Sequence, residues 1–316
     1  MPQPSALACP ASLKAVLSAR EAAAALAFGF SRAGVDCVQQ PLADGGEGTI
    51  DVLCGGDVEA VEVRDAFGRP RQALVGRLGG AVVVEAAQVI PFDPERLDVA
   101  TASSRGLGEL IASLACERLY VGLGGTANMD AGLGLLDVLD ALPAPTTVLC
   151  DVRSTLYEAP ELYGPQKGAD PEQVWELRAR FREVERLEPV ADLVGAGAAG
   201  GLGAALASLG AELVPGAAAI LELVGFEPRD HALVVTGEGR VDATTAEGKA
   251  PAEVARRCRA AGVPCVAFGG VVAEPLRDAE TVALSGDPAR AFDDLVELGA
   301  RLGARLLGSA AFDPAG

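Results

Sequence analysis

Lys14, Lys167 and Lys249 are the only lysines in a chain that carries 23 arginines. A compact ammonium meets phosphate as a point charge, where a planar guanidinium is bulkier, so lysines kept among arginines mark candidate anion sites. Each lies near a small residue: Lys14 after Ser12, Lys167 before Gly168, Lys249 after Gly248. The single asparagine, Asn128, sits in a similar setting. Three segments then mix glycine with acids or hydroxyls: Asp44-Gly45-Gly46-Glu47-Gly48-Thr49, Gly124-Gly125-Thr126-Ala127-Asn128 and Thr236-Gly237-Glu238-Gly239-Arg240-Val241-Asp242. Carboxylates able to hold Mg²⁺, ammonium groups that neutralise phosphate and glycine backbone that cradles it point together to phosphoryl transfer. Plain turn formation accounts for any one of these segments, less readily for all three.

The familiar nucleotide motifs do not account for them. Gly248-Lys249 lacks the first glycine of a Walker A loop (Ala243 stands there) and its Ser/Thr (Ala250 follows). Gly195-Ala196-Gly197-Ala198-Ala199-Gly200 matches G-x-G-x-x-G, but Glu188–Val194 before it is a poor strand, which disfavours a dinucleotide site. That glycine run either presents backbone N–H groups to a phosphate or packs helices tightly, and both readings stay open.

Composition narrows the partners. With 26 basic and 44 acidic residues the formal charge is -18, which repels nucleic acid and anionic membranes. Seven scattered cysteines without a C-x-x-C pair, and one histidine, fit reduced thiols and argue against structural zinc or His-dependent nucleophilic catalysis. Leu193–Ala211 is free of charge, but six of its residues are glycine, so a membrane span is not expected. The N-terminus has no signal-peptide pattern, and a cytoplasmic location is expected. His231 reads as a strand-end residue and Trp175 as a packing anchor.

The elements that must hold these residues alternate short apolar runs with Ala/Leu-rich helical stretches, an α/β doubly wound rhythm. Strands are predicted at 5–9, 35–39, 81–84, 119–123, 147–150, 232–236, 264–268 and 281–284. Helices are predicted at 18–32, with Ser18 and Glu21 as a capping box, and at 104–116, 171–185, 250–261 and 288–307, with further helix from Asp130 onward. Closely spaced β segments between Val58 and Glu85 suggest one domain inserted in another: 1–55 plus 215–316, and 56–214.

At these residues the sequence resembles the bacterial class I glycerate kinases. The family's Asp-Gly-Gly-Glu-Gly-Thr stands at 44–49 and its Gly-Pro-Gln-Lys-Gly-Ala at 164–169. Its Gly-Ala-Gly-Ala-Ala-Gly-Gly is at 195–201, and its Thr-Gly-Glu-Gly-Arg-x-Asp and Gly-Lys-x-Pro at 236–242 and 248–251. The resemblance implies ATP-dependent phosphorylation of D-glycerate with Mg²⁺. It also implies a flavodoxin-like, Rossmann-like α/β domain carrying a second inserted α/β domain, with a homodimer left open. Under it, Asp44, Lys14 and Lys167 are the catalytic candidates. Gly124, Gly125, Thr126, Gly197, Gly200 and Lys249 are expected to bind the nucleotide, and Ser12, Gly45, Gly46 and Arg240 the substrate. Glu238 and Asp242 are the expected metal ligands. The chain departs from the family at Ala11, where an acid is usual, at Met129 and Ser154, where Asn is usual, and by a missing stretch between Leu142 and Val148. These departures keep a second reading in play, a paralogue that binds a small organic acid or nucleotide without turnover.

Overall fold

The computed structural model describes residues 4–246 and 248–310, in two compact units. Among these residues the strands are β1 (Ser5–Ala8), β2 (Asp36–Gln39), β3 (Val58–Arg64), β4 (Pro70–Leu78), β5 (Ala81–Glu85), β6 (Arg118–Gly122), β7 (Thr146–Cys150), β8 (Glu212–Pro215), β9 (Leu233–Val241), β10 (Cys265–Val272) and β11 (Glu280–Ala283).

The first unit takes in residues up to Ala43 and those from Ile220 onward. Its five strands run in the order β11-β10-β9-β1-β2, and every pairing is parallel. β1 lies inside the sheet between β9 and the edge strand β2, with Ala6, Leu7 and Ala8 buried, as expected for a strand covered on both faces. The helix Ala19–Arg32 begins at the predicted box: Ser18 Oγ accepts from Glu21 N at 3.2 Å, and Glu21 Oε2 accepts from Ser18 N at 2.8 Å. Its small-residue face meets the last helix, Ala291–Ala310. A side chain at Gly29 would collide with Val296 O, and one at Gly299 with Leu26 O, so the glycines let the two backbones approach.

The second unit is the continuous stretch Asp44–Ala219. Its six-stranded sheet has the order β3-β4-β5-β6-β7-β8, antiparallel from β3 to β5 and parallel from β5 to β8. An apolar cluster including Val82, Val84, Leu107, Leu119, Val121 and Leu202 fills its core. Residues 44–55 and 215–219, expected with the terminal segments, lie in this unit. Glu85 at the end of β5 holds the helix Thr49–Cys54 there, accepting from Ile50 N at 2.7 Å, and a side chain at Gly216 would strike Asp44 O.

Several elements differ from expectation. β9 continues through Val241, so Thr236–Asp242 is mostly strand and not loop; Gly237, where a side chain would strike Phe268 O, lets it run beside β10, with Glu238 opposite Gly269 and Arg240 opposite Val271. β8 was not foreseen. Helix after Asp130 is limited to Leu133–Leu136. Trp175 is 69% exposed, because the helix Pro171–Arg182 turns Leu177 and Phe181 inward and leaves Trp175 off that stripe. His231 Nδ1 lies 3.2 Å from Ser5 Oγ beside β9, as a strand-end residue would. The seven cysteines are all free, and no helix among the described residues is long and apolar enough to cross a membrane.

Candidate functional site

In the first unit, chain order reverses between β1 and β9: β1 leads outward to β2, and β9 leads outward to β10 and β11. Open parallel sheets bind ligands at the strand C-termini beside such a reversal. A cavity of about 380 Å³ opens there, and it gathers Ser12 and Lys14 after β1 with Glu238, Arg240 and Asp242 at the end of β9. Lys249 joins them from the N-terminus of the helix Ala250–Ala261. Six residues predicted from separated motifs thus share one cavity.

Their bonding is specific. Thr245 Oγ1 donates to Glu238 Oε1 at 2.7 Å and accepts from Asp242 N at 3.1 Å, tying the two acids into one arrangement. Asp242 also takes Thr244 N and Oγ1 on Oδ1 and Arg240 Nε on Oδ2, at 3.0, 2.6 and 3.0 Å. The Thr244 hydroxyl first, then Arg240 and Lys249, hold its carboxyl below the usual range. Lys14 is exposed, Lys249 is half-buried, and neither makes an ion pair among the described residues. Among the described residues no group of three or more His, Cys, Asp or Glu could cage a metal. Mg²⁺, however, is commonly held by one or two carboxylates with phosphate oxygens completing its shell, and Glu238 with Asp242 fits that mode.

The second unit positions Lys167 differently. A short 3-10 turn, Pro165–Lys167, places its ammonium inside the protein, where Nζ donates to Asn128 O at 2.9 Å and approaches Thr126 Oγ1 at 3.4 Å. Burial pushes its pKa down to about 8, against the opposing pull of the Asp151 and Asp130 carboxylates. Asp130 is itself a hub, accepting on Oδ2 from Ser104 N and Oγ at 2.7 and 2.8 Å and on Oδ1 from Asn128 Nδ2 at 2.9 Å and Gly132 N at 3.0 Å. Those bonds hold the backbone in a turn, which explains why helix starts later than predicted. Asn128 Oδ1 is buried without a partner.

The Asp44 loop lies along the ends of β6 and β7. Asp44 Oδ1 accepts from Gly46 N at 3.2 Å. Gly45 has φ +96° and would place a side chain 2.6 Å from Leu149 O, and one on Gly124 would come 2.6 Å from Gly46 Cα and 3.0 Å from Asp151 Oδ2. Gly125 is exposed and Thr126 buried beside Lys167. Gly197 and Gly200 are buried against the chain's own backbone. A side chain on the first would hit Thr155 O, and one on the second, at φ +63°, would hit Asn128 O. Their observed contacts are those of the packing alternative. The expected nucleotide group is therefore split, with Lys249 in one unit and Gly124, Gly125, Thr126, Gly197 and Gly200 in the other. The expected substrate group is split likewise, Ser12 and Arg240 from Gly45 and Gly46.

Two of the three substituted positions are absorbed in packing. Met129 is fully buried in an apolar cluster with Leu156 and Phe181. Ser154 is buried, accepts from Tyr163 Oη at 2.9 Å, and its carbonyl takes Gly195 N and Gly197 N. Ala11, whose N–H donates to Gly237 O at 2.8 Å, adjoins the cavity-lining Ser12. Reading the sequence overlooked Asp130 and Thr245 as organisers. The clue to Asp130 was its place two residues beyond the only asparagine; Thr245 carried no signal, because its role depends on a turn that brings it back to Glu238.

A profile of the glycerate kinase family matches residues 6–144 and 140–286, two pieces meeting where the shortened stretch was expected. A glycerate kinase of Bacillus subtilis (strain 168) is 33% identical, covering 88% of this chain and 87% of its own. Glycerate 2-kinase of Escherichia coli (strain K12) is 32% identical over 83% of this chain and 84% of its own. A crystal structure from Salmonella typhimurium LT2, provisionally assigned as glycerate kinase 2, superposes with a TM-score of 0.82 at 28% identity, covering 98% of this chain and 100% of that one.

Proposed function

The chain belongs to the glycerate kinase family of ATP-dependent phosphotransferases, and from that premise we propose that it transfers the γ-phosphate of ATP to the 2-hydroxyl of D-glycerate. The observation that carries the reading is the first unit's cavity, where two lysines with no ion pair among the described residues face a Thr-linked pair of carboxylates at the reversal of strand order. Phosphoryl transfer relies on positioning and charge neutralisation more than on covalent chemistry, and this set supplies both. Lys14 and Lys249 neutralise phosphate oxygens, helped by the N-terminal N–H groups of the helix Ala250–Ala261. Glu238 and Asp242 hold Mg²⁺, which when bound neutralises charge on the transferring phosphoryl group. In the second unit, Asp44 orients the acceptor hydroxyl and takes its proton, while Gly45, Gly46 and the Gly124–Thr126 turn shape the space beside it. Lys167 supplies positive charge for the acceptor's carboxylate and fixes the turn through Asn128 O. The position of the transferred group follows the name of the E. coli relative.

The second reading, binding without turnover, rests on Ala11, because Met129 and Ser154 are absorbed in packing. One assay separates the two. Purified protein is incubated with Mg-ATP and D-glycerate, with ADP release followed in parallel with conversion of the product by enolase, which accepts 2-phosphoglycerate and not the 3-isomer. ADP release with enolase-competent product supports the proposal. ADP release without it moves the phosphate to the 3-hydroxyl. Glycerate or ATP binding with no ADP release leaves the second reading.

A further inference from the structure

A hollow of about 350 Å³ lies wholly within the second unit, between the turn that joins β3 to β4 and the start of the helix Arg105–Ser113. None of its lining residues belongs to the set assigned to the reaction above. Arg64, Arg96 and Arg105 all line it, with Asp65 as the one acid. In a chain where acids outnumber bases 44 to 26, that is a local reversal of charge. Asp65 does not cancel it. Its Oδ1 accepts from Phe67 N and Arg69 N at 2.8 and 2.9 Å, and its Oδ2 takes Arg69 Nε at 3.1 Å, so the turn and a fourth arginine satisfy it. Glu109, which lines a neighbouring hollow with Glu62, takes Arg105 Nε at 3.0 Å and lies 3.8 Å from Arg64 Nε. The Nη groups of both arginines stay without a hydrogen bond among the described residues. Arg96 has no ion pair among them; it is half-buried, and its guanidinium stacks on the Phe67 ring, 4.0 Å from the centroid.

The backbone fixes these groups in place. Ser103 N donates to Ala66 O at 2.8 Å, and a side chain on Gly106 would strike Arg64 O, so the helix start is locked against the strand end that carries Arg64. The helix leaves donors open at this end. Its N-cap, Ser104, makes no side-chain cap bond, because its hydroxyl donates to Asp130, and Gly106 N has no partner among the described residues. Ser103 Oγ accepts from Arg105 N at 3.2 Å and keeps its own proton to donate, whereas Thr101 gives its proton to Asp98 Oδ2 at 2.6 Å. We propose that this hollow binds a phosphate group, as inorganic phosphate or as the monoester of a small organic molecule. Guanidinium groups meet phosphate oxygens in pairs, and three of them around a helix N-terminus suit a tetrahedral dianion better than a flat, singly charged carboxylate. The volume exceeds what free phosphate needs, which leaves room for the organic part of an ester. The site does not depend on the kinase reading.

Calorimetry with inorganic phosphate and with 2-phosphoglycerate tests the site. The titrations use Lys249→Ala protein, in which phosphate binding in the first unit's cavity is weakened, and the same protein carrying Arg96→Gln or Arg105→Gln. At least one of the two anions should bind the Lys249→Ala protein, and each added glutamine should weaken that binding by about tenfold or more. The anion that binds more tightly identifies the source of the phosphate. Arg118→Gln, at an exposed arginine outside the hollow, should leave the affinity unchanged. In the otherwise wild-type chain, Arg96→Gln should alter neither the melting temperature nor KM for D-glycerate. Should Arg105→Gln fail to fold, Arg96→Gln decides the matter, and where there is no turnover the titrations decide alone. Three results would overturn the proposal: no binding of either anion, binding indifferent to both glutamines, or an equal loss in Arg118→Gln, which would reduce the effect to net charge. A KM for D-glycerate that rises as phosphate binding falls would overturn it too, by making the hollow part of the acceptor's site.

Discussion

Lys167 and the pair Lys14 and Lys249 carry the same group in opposite surroundings. In the second unit the ammonium is buried, bonded to Asn128 O and near Thr126 Oγ1, with two carboxylates close enough to favour its charge. In the first unit the ammonium groups line an open cavity and make no ion pair among the described residues. The buried lysine is part of the structure that it helps to organise, whereas the cavity lysines cost the fold little and are available to a ligand. Removing the first should therefore damage stability and activity together, and removing the others should damage activity alone.

The largest expected effect comes from Lys167→Ala. It leaves Asn128 O and Thr126 short of a donor and two nearby acids without their counter-charge, a loss of about 1–3 kcal/mol in stability. Turnover should fall by about 10²–10³-fold if its charge also serves the acceptor. A drop in melting temperature with wild-type kcat/KM would make the residue structural only. Lys249→Ala should lower kcat/KM by about 10²-fold and shift the melting temperature by no more than about 1 °C, since a side chain of this kind contributes little to folding. A marked thermal loss in that variant would erase the contrast between the two units.

A pH titration sharpens it further. Burial lowers Lys167 from its ordinary 10.5 to about 8, so between those values the unfolded chain holds more proton than the folded one. Stability from this group then rises with pH across that window. Activity should run the other way, because the ammonium is lost above about pH 8. Subtracting a Lys167→Met melting curve from the wild-type curve isolates the group, and a difference that is flat from pH 8 to 10 would refute its depressed pKa. The smallest effect is expected at Ala11. Ala11→Asp restores an acid beside Ser12, and turnover with D-glycerate should rise several-fold at unchanged melting temperature; a lower melting point with no gain would mean that this position does not limit the rate.

Elements set by local chemistry were legible in the sequence. Ser18 and Glu21 fixed the start of their helix, and the helix Ala250–Ala261 matches expectation to the residue because its apolar stripe and proline at the second position are local signals. The continuation of β9 was hidden, because Gly237-Glu238-Gly239 reads as a turn unless β10 is known to lie alongside. The candidate site was legible as residue types in motifs, and the division of those residues between two units was not. Ser12 and Arg240 meet only when β1 pairs beside β9, a contact that no local pattern encodes. The same holds for Leu284 and Ala291, whose part in the cavity depends on β11 joining the sheet.

The pairing of β1 with the late strand β9 sets the order in which the chain can acquire structure during synthesis. Ala6 pairs with Leu233, so the first unit's sheet must wait until the ribosome has delivered β9, and its final helix until nearly the whole chain is out. The second unit, Asp44–Ala219, is contiguous and finished by then. Domains tend to fold as units in the order they emerge. Once the second unit has folded, it draws the ends of a long intervening stretch together and shortens the loop that β1 and β9 must close, whose entropic cost grows with length. A nascent chain stalled before Leu233 would thus carry Lys167 in its finished surroundings and Lys14 in a segment that follows a strand paired with β2 but still lacking β9.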